Sequence, residues 1–221
     1  MQIGRRLLWL LVAIPLGWYV GGQGARGWQA VQSASLCSLT FVSFGEFPPD
    51  LLLDSARRVE ETFGVRVRIE RPIPIAEQTI NYGRQQLVGE RLIAQMKEGF
   101  PALAQDPSTM LVGFTAGDMY LEHKNWQFVF AGREAGRFAV ISTARMDPQS
   151  FGLAKDETVL RGRLRKMVLK QVGLYFYGLP ERKEKTSVLY SPILGVDDLD
   201  EVSSDLDAAD RVRLPEQKPC K

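Results

Sequence analysis

The feature that most constrains this chain is a stretch at residues 159–179, in which apolar side chains recur every three or four positions. Such spacing is typical of a helix that buries one face, and Pro180 cannot continue a helix. We therefore predict a long helix over residues 155–177. The apolar residues that carry the spacing are Leu160, Leu164, Met167, Val168, Val172 and Tyr175.

The other face of this predicted helix is basic, and an acidic segment follows it in the chain. The spacing of the acidic residues does not match a calcium-binding loop, so we predict a solvated helix face. The cations are expected to meet this acidic segment or water, with phosphates or acidic lipid head groups as the alternative. The cations are Arg161, Arg163, Arg165, Lys166 and Lys170. The acidic residues are Asp197, Asp198, Asp200, Glu201, Asp205 and Asp207.

Strand and helix patterns alternate before the long helix. Strands are predicted at residues 36–44, 65–70, 109–114, 126–131 and 136–143. Helices are predicted at residues 51–63 and 82–100, the first capped by Asp50, with a loop at 115–121 and a charged turn at 132–135. Alternation of this kind, ending in a hairpin and a helix, predicts an α/β or α+β domain with a mixed twisted sheet packed by helices.

The N-terminus predicts a membrane segment. Arg5 and Arg6 precede an uncharged, largely apolar run, and the next charge is Arg26. Residues 1–25 are therefore predicted to be a signal anchor or a signal peptide, and we favour the uncleaved anchor because no clear cleavage site follows. A buried core helix is the remaining alternative. Residues 26–36 are predicted to be a linker, and positive charge before the run places the remainder on the periplasmic or extracellular side.

The scarcity of metal-binding residue types is the most informative feature of the composition. The chain has one His and two Cys, and its net charge of +2 does not favour nucleic-acid binding. Cys37 and Cys220 are expected either to form one long disulfide in an exported chain or to remain two unrelated thiols. His123 lies in a polar loop and is predicted to be a surface or hydrogen-bonding histidine. No GxSxG motif supports a serine hydrolase.

Several motifs, in a fixed order, carry a resemblance to a known family. They include a loop of the form Gly-x-Thr-x-x-Asp-x-Tyr (Gly113 to Tyr120), which follows a segment with Tyr82, Arg84 and Gln86. Two further blocks lie at residues 125–132 and 136–145, and a Ser-Val-Leu-Tyr-Ser turn lies at 187–191. Over residues 37–205 the chain resembles archaemetzincins, a family of zinc metallopeptidases. The resemblance implies a metzincin-like fold, with residues 206–221 as a C-terminal tail.

The resemblance also implies that the zinc site has been lost. Where the family places the HExxH part of its HExxHxxGxxHC helix, this chain has Lys170, Gln171, Val172, Gly173 and Leu174. An ammonium repels a divalent cation, a Leu side chain has no lone pair, and an amide is not a general base near neutral pH. Leu189 stands at the position of the family's Met-turn methionine. We therefore expect no cofactor and no zinc-dependent peptidase mechanism at this site.

The sequence thus predicts a membrane-anchored, extracytoplasmic pseudopeptidase that binds a peptide or protein partner in the former cleft. Leu174, Tyr175, Phe176 and Tyr177 are expected to fill part of that cleft. Lys170 is expected to meet a carboxylate, either from the peptide terminus of a ligand or from the domain itself. One alternative is an active zinc-dependent metallopeptidase whose metal ligands lie at positions other than those matched to the family motif. The other is a structural component of an envelope assembly.

Overall fold

A computed structural model describes residues 37–134 and 136–214, and these residues form a five-stranded sheet with helices on both faces. The order of the strands is β2-β1-β5-β8-β7. All neighbouring pairs are parallel except β7 with β8, which are antiparallel, so β7 is an antiparallel edge strand. The strands of this sheet are β1 (Ser38–Phe44), β2 (Val67–Ile69), β5 (Thr109–Thr115), β7 (Ala131–Glu134) and β8 (Phe138–Ser142).

A second, three-stranded sheet has the order β3-β4-β6. Its strands are β3 (Ile80–Asn81), β4 (Gln86–Val88) and β6 (Met119–Tyr120). The α-helices are α1 (Pro49–Phe63), α2 (Gly89–Gly99), α3 (Pro101–Gln105), α4 (Glu157–Gln171), α5 (Val196–Glu201) and α6 (Ala208–Arg213). A π-helical turn, Val172–Phe176, continues α4. The mixed α/β class predicted from the sequence is confirmed.

The central strands of the main sheet are buried on both faces, and alternate residues belong to two different cores. On β5, Met110, Val112 and Phe114 pack into the core that contains α1 and α4, whereas Leu111 packs into the core that contains α2. A strand that is apolar on both faces reads as a continuous hydrophobic run, which is why the sequence predicts this strand correctly. The two cores fix α4 on one face of the sheet.

The predicted helix at residues 82–100 is wrong in its first part. Residues 82–85 form a turn in which Gln85 has a φ of 54°, and β4 follows at Gln86–Val88. The helix begins only at Gly89, where a Cβ would lie 2.7 Å from a methyl group of Leu121. The inward positions Leu92, Ile93 and Met96 are correctly predicted.

Three smaller predictions also need correction. The strand predicted at residues 126–131 starts at Ala131, so the residues predicted as the charged turn mostly form β7 instead. The loop predicted at residues 115–121 contains β6. Asp50 does not cap α1, because Pro48 is the N-cap residue and makes no side-chain cap hydrogen bond; Asp50 pairs instead with Arg161 of α4.

The segment predicted as a C-terminal tail includes α6, and one of its carboxylates is fully buried. Asp210 accepts hydrogen bonds from Arg182 and from the Ser187 hydroxyl, which tie α6 to the segment that follows α4. The ordered chain therefore extends past residue 205.

The predicted membrane segment and linker, residues 1–36, lie outside the described residues, as does Cys220. Their roles, including the Cys37–Cys220 disulfide, stay predictions. Every described residue belongs to a single unit of the chain. Between residues 37 and 214, the helices of the structure are too short or too polar to span a bilayer.

Candidate functional site

A cleft of ≈ 540 Å³ opens between the end of α4 and edge strand β7. One wall is the segment of residues 123–133, which leads into and includes most of β7. The opposite wall is residues 191–194, and between the walls lie Met167, Lys170 and Gln171 of α4. The cleft is thus bounded by the strand, helix and turn on which the sequence resemblance rests.

Local interactions fix α4 along its length. Its N-cap residue Asp156 accepts hydrogen bonds from the backbone N–H groups of Thr158 and Val159, a capping arrangement worth about 1 kcal/mol. Arg163 donates to both carboxylate oxygens of Asp200 at 2.7 and 2.6 Å, and Arg165 donates to both oxygens of Asp54 at 2.8 and 2.6 Å. These bidentate pairs hold the helix against α5 and α1 respectively.

The predicted basic face of the helix is therefore correct only in part. Arg161 and Arg165 reach carboxylates at the surface of α1, but Arg163 and Lys170 are buried. The acidic segment is likewise not simply solvated, because Asp200 pairs with Arg163, and Lys185 pairs with Asp198 and Glu201. The expectation that cations of the long helix meet the acidic segment is confirmed for Arg163, whereas Arg161 and Arg165 pair with α1.

Lys170 lies in the floor of the cleft and is only 6% exposed. Its Nζ donates to the backbone carbonyl of Tyr190 at 2.5 Å. The pKa of Lys170 is lowered from its usual value to about 8, mainly by burial; Glu181 opposes the shift, and Arg133 and Lys183 add to it. No ion pair joins Lys170 to a carboxylate among the residues that the structure describes.

Gln171 also faces the cleft and is more deeply buried, at 3% exposure. Its Oε1 has no hydrogen-bond partner within residues 37–134 and 136–214. A buried polar atom without a partner costs about 1–3 kcal/mol. The floor of the cleft therefore presents an ammonium and an amide oxygen that the described chain does not fully satisfy.

The wall at residues 123–133 is held from behind by a polar network. Arg84 donates to the backbone carbonyls of Trp126 and Gln127, and Gln86 donates to the same Gln127 carbonyl and to Asp118. Asp118 is in turn paired with Arg145 at 2.6 Å. The structure thus brings together Arg84, Gln86 and Asp118, which the sequence analysis linked only through the family resemblance.

Two large apolar side chains are exposed at the cleft, one on each wall. Trp126 is 54% exposed and Leu194 is 75% exposed. Sequence reasoning missed both as functional candidates, because an isolated exposed Leu or Trp carries no signal until a fold places it. His123, at the same rim, bonds through Nδ1 to Glu90 at 2.6 Å, which confirms the prediction of a hydrogen-bonding surface histidine.

Three archaeal proteins of known structure share this architecture. The archaemetzincin from Methanopyrus kandleri is 22% identical, with a TM-score of 0.64, and the match covers 85% of this chain and 98% of that one. The zinc-dependent peptidase from Methanocorpusculum labreanum is 18% identical, with a TM-score of 0.63 and coverage of 80% and 100%. The archaemetzincin from Archaeoglobus fulgidus, determined in complex with malonate, is 18% identical, with a TM-score of 0.61 and coverage of 79% and 99%. The chain has the archaemetzincin fold.

Comparison with models of known protein families gives no match, and comparison with curated protein sequences gives none either. The structural likeness therefore confirms the resemblance predicted from the sequence at the level of the fold.

The residues at the end of α4 do not fit the zinc that the archaemetzincin fold implies. Lys170 presents a cation to the cleft, and Leu174 packs in the core with α1 instead of facing the cleft. Gln171 has an amide in place of a carboxylate. Within the described part of the chain, no group of three or more His, Cys, Asp or Glu residues is arranged to hold a metal ion.

The predicted aromatic filling of the cleft is also wrong. Phe176 and Tyr177 belong to the main core, where Tyr177 stacks on Phe63 and donates to its carbonyl at 3.0 Å. The π-helical turn after Gln171 has a wider backbone that turns these side chains inward. Leu189, at the Met-turn position, lies beneath this turn, and a Cβ on Gly173 would approach its methyl group to 2.7 Å.

Proposed function

We propose that this chain is a pseudopeptidase: an archaemetzincin-like protein that binds a peptide or protein partner in the former catalytic cleft without cutting it. The observation that carries the proposal is Lys170, a buried ammonium in the cleft floor at the position of a metal-binding histidine. It repels a divalent cation, and no nearby side chain in the described chain replaces the missing ligands. The cleft itself nevertheless persists.

The walls of the cleft suit an extended peptide. β7 is an edge strand of the main sheet, and it lies along the cleft. Edge strands bind extended peptides through main-chain hydrogen bonds, and neighbouring pockets then select side chains. The exposed Trp126 and Leu194 supply apolar contact area on the two walls, and buried tryptophans are among the strongest contributors to binding at protein interfaces.

The direct test mixes the full-length chain, purified in detergent, with a pool of N-acetylated tetrapeptides, with and without added zinc. Mass spectrometry then measures which peptides the chain retains and whether they are cut. We expect a subset of the pool to be retained intact under both conditions. Zinc-dependent cleavage that a chelator abolishes would instead establish an active metallopeptidase, and retention of no peptide would contradict the binding role.

We further propose that residues 1–25 anchor the protein in a membrane, with the folded domain on the periplasmic or extracellular side. The support is the order of Arg5 and Arg6 before an uncharged run, which keeps the N-terminus in the cytoplasm. Alkaline phosphatase fused after the last residue should be active in a bacterial host and should sediment with membranes. Loss of phosphatase activity in a matched fusion without residues 1–25 would support export by this segment. Strong fluorescence of a green fluorescent protein fused at the same place, together with an inactive phosphatase fusion, would put the domain in the cytoplasm and contradict the orientation.

A further inference from the structure

The charges around the cleft have a single sign, and this constrains the ligand. The charged residues that line it are Lys124, Arg133 and Lys170, with His123 at the rim. No Asp or Glu of the described chain lines the cleft. A surface of one sign in a concave site favours ligands of the opposite sign.

Lys170 has unused hydrogen-bonding capacity. An ammonium has three N–H donors, and in the described chain only the Tyr190 carbonyl accepts from this one. The other cations of α4 differ, because Arg161, Arg163 and Arg165 each contact a carboxylate and Lys166 contacts two backbone carbonyls. Lys170 therefore stands out as the buried cation of this helix that forms no ion pair in the described chain, although Glu181 lies near enough to favour its charged form.

Gln171 adds a second requirement. Its buried Oε1 accepts no hydrogen bond from the described chain, although the side chain lines the cleft. A ligand that meets both residues must carry an anion for Lys170 and an N–H donor for the neighbouring Gln171. The terminal residue of a peptide has this arrangement, because its carboxylate and its amide N–H are attached to the same Cα.

The space around these two side chains is apolar. Met167 lies one turn before Lys170 on the same helix, and Phe128, Phe130 and Ile193 line the facing walls. An apolar side chain on the terminal residue would remove this surface from water, which favours binding.

Resting on the proposed binding function, we infer that the cleft recognises the free C-terminus of a peptide that ends in an apolar residue. The Lys170 ammonium binds the terminal carboxylate through a charge-assisted hydrogen bond. The Gln171 Oε1 accepts from the amide N–H of the terminal residue. The ammonium thus takes the place of a metal cation as the electrostatic partner of the ligand, without the means to activate water.

The test compares two tetrapeptide pools of the same composition, one ending in a free carboxylate and the other in a carboxamide, on the full-length chain in detergent. Peptides retained from the first pool should bind at least about tenfold more tightly than their amides and should be enriched in apolar terminal residues. Equal binding of acids and amides would overturn the C-terminal inference and leave the binding function standing. Retention of neither pool would overturn both.

Three variants distinguish the roles of the two residues. Lys170→Met should abolish the preference for the acid, whereas Lys155→Met should retain it, since Lys155 is exposed and pairs with Glu157 away from the cleft. Gln171→Leu should weaken the binding of acid and amide peptides alike, because both carry the N–H that donates to the Gln171 Oε1. An acid preference that survives in Lys170→Met, with thermal unfolding confirming a folded variant, would contradict the assignment.

Discussion

The two ends of helix α4 carry the same kind of side chain in opposite electrostatic environments. In its first three turns Arg161, Arg163 and Arg165 each contact a carboxylate of α1 or α5. In its last turn Lys170 is buried, with Glu181, Arg133 and Lys183 nearby, and its hydrogen-bond partner in the described chain is a backbone carbonyl. The first end is paired with carboxylates within the fold, whereas Lys170 at the second end faces the cleft and forms no ion pair in the described chain.

This difference separates a stabilising role from a binding role on one helix. Buried ion pairs with good geometry hold elements together, and removing one partner leaves the other charge exposed to a low-dielectric environment. A buried cation without a counter-charge opposes folding unless a ligand supplies the anion. We therefore expect substitutions at the two ends to have opposite effects on stability, and the following experiments test that contrast.

The largest effect is expected from Arg163→Met. This change removes the bidentate contact with Asp200 and the 2.7 Å hydrogen bond to the buried carbonyl of Met146. Because the remaining Asp200 carboxylate is 46% exposed and solvated in part, we expect a loss of about 2–3 kcal/mol. Urea unfolding at pH 7 measures the change in the free energy of unfolding, with Arg165→Met as a milder comparison because the Arg165 side chain is 43% exposed and that of Arg163 only 10%. An unchanged unfolding midpoint for Arg163→Met would show that this end of α4 does not depend on its ion pairs.

The second effect is a pH dependence of stability. The charged Lys170 side chain lowers the free energy of unfolding, whereas the Arg163 side chain raises it. Because burial lowers the pKa of Lys170 from 10.5 to about 8 in the folded protein, the unfolded chain binds more protons between these values, and stability rises with pH. The full shift corresponds to about 3 kcal/mol, of which roughly 2 kcal/mol develops between pH 7 and pH 10. Lys170→Met should lack this rise.

Urea unfolding at several pH values below 10 makes this measurement. The upper bound is needed because burial raises the pKa of Tyr177 to about 12, so that stability from the neutral phenol is lost above pH 10. Lys155→Met provides the control for loss of one positive charge. The same pH dependence in Lys170→Met and in the unmodified protein would remove Lys170 as its source.

A smaller effect is expected at the wall of the cleft. Arg84→Met removes the hydrogen bonds to the carbonyls of Trp126 and Gln127, and each such bond contributes about 0.5–1.5 kcal/mol. Hydrogen exchange at residues 123–130 should increase while exchange in β5 stays unchanged. Arg91→Met is the matched control, because Arg91 contacts Gln78 and Glu122 instead of this wall. Equal exchange in both variants would contradict the role of the polar network.

The smallest effect on stability is expected from Gln171→Leu. The substitution removes a buried Oε1 that has no partner in the described chain, so the free energy of unfolding should stay constant or increase by about 1 kcal/mol. A loss of several kcal/mol on urea unfolding would mean that the amide is satisfied within the protein, and would remove the reason to assign it to a ligand.

The sequence predicted the parts of this fold whose residues interact with near neighbours. β1 and β5 were predicted from continuous or alternating apolar runs, and α1 and α4 from helical spacing. The segment at residues 82–88 failed because Leu87 and Val88 fit either period, and the positive φ of Gln85 is not marked by a glycine. The short pairing of β4 with β6 is a long-range contact that a local pattern does not reveal.

The candidate site was only half predictable for a similar reason. The family motif located Lys170 and Gln171, but helical spacing placed the lysine on a polar face. It is buried because residues 187–194, distant in sequence, fold over the end of the helix and supply the Tyr190 carbonyl. Leu174 was expected in the cleft, yet the π-helical turn directs it into the core. The orientation of these side chains depends on tertiary packing.

Titration of the Lys170 ammonium tests the central claim most directly. Lysine labelled with ¹³C at the ε carbon reports protonation by nuclear magnetic resonance. The signal that disappears from the spectrum of Lys170→Met is the signal of Lys170. The account predicts a pKa of about 8 in the free protein and a higher value when a retained carboxylate peptide is bound, because an adjacent anion favours the charged form. A pKa near the ordinary lysine value of about 10.4, unchanged by the peptide, would contradict it.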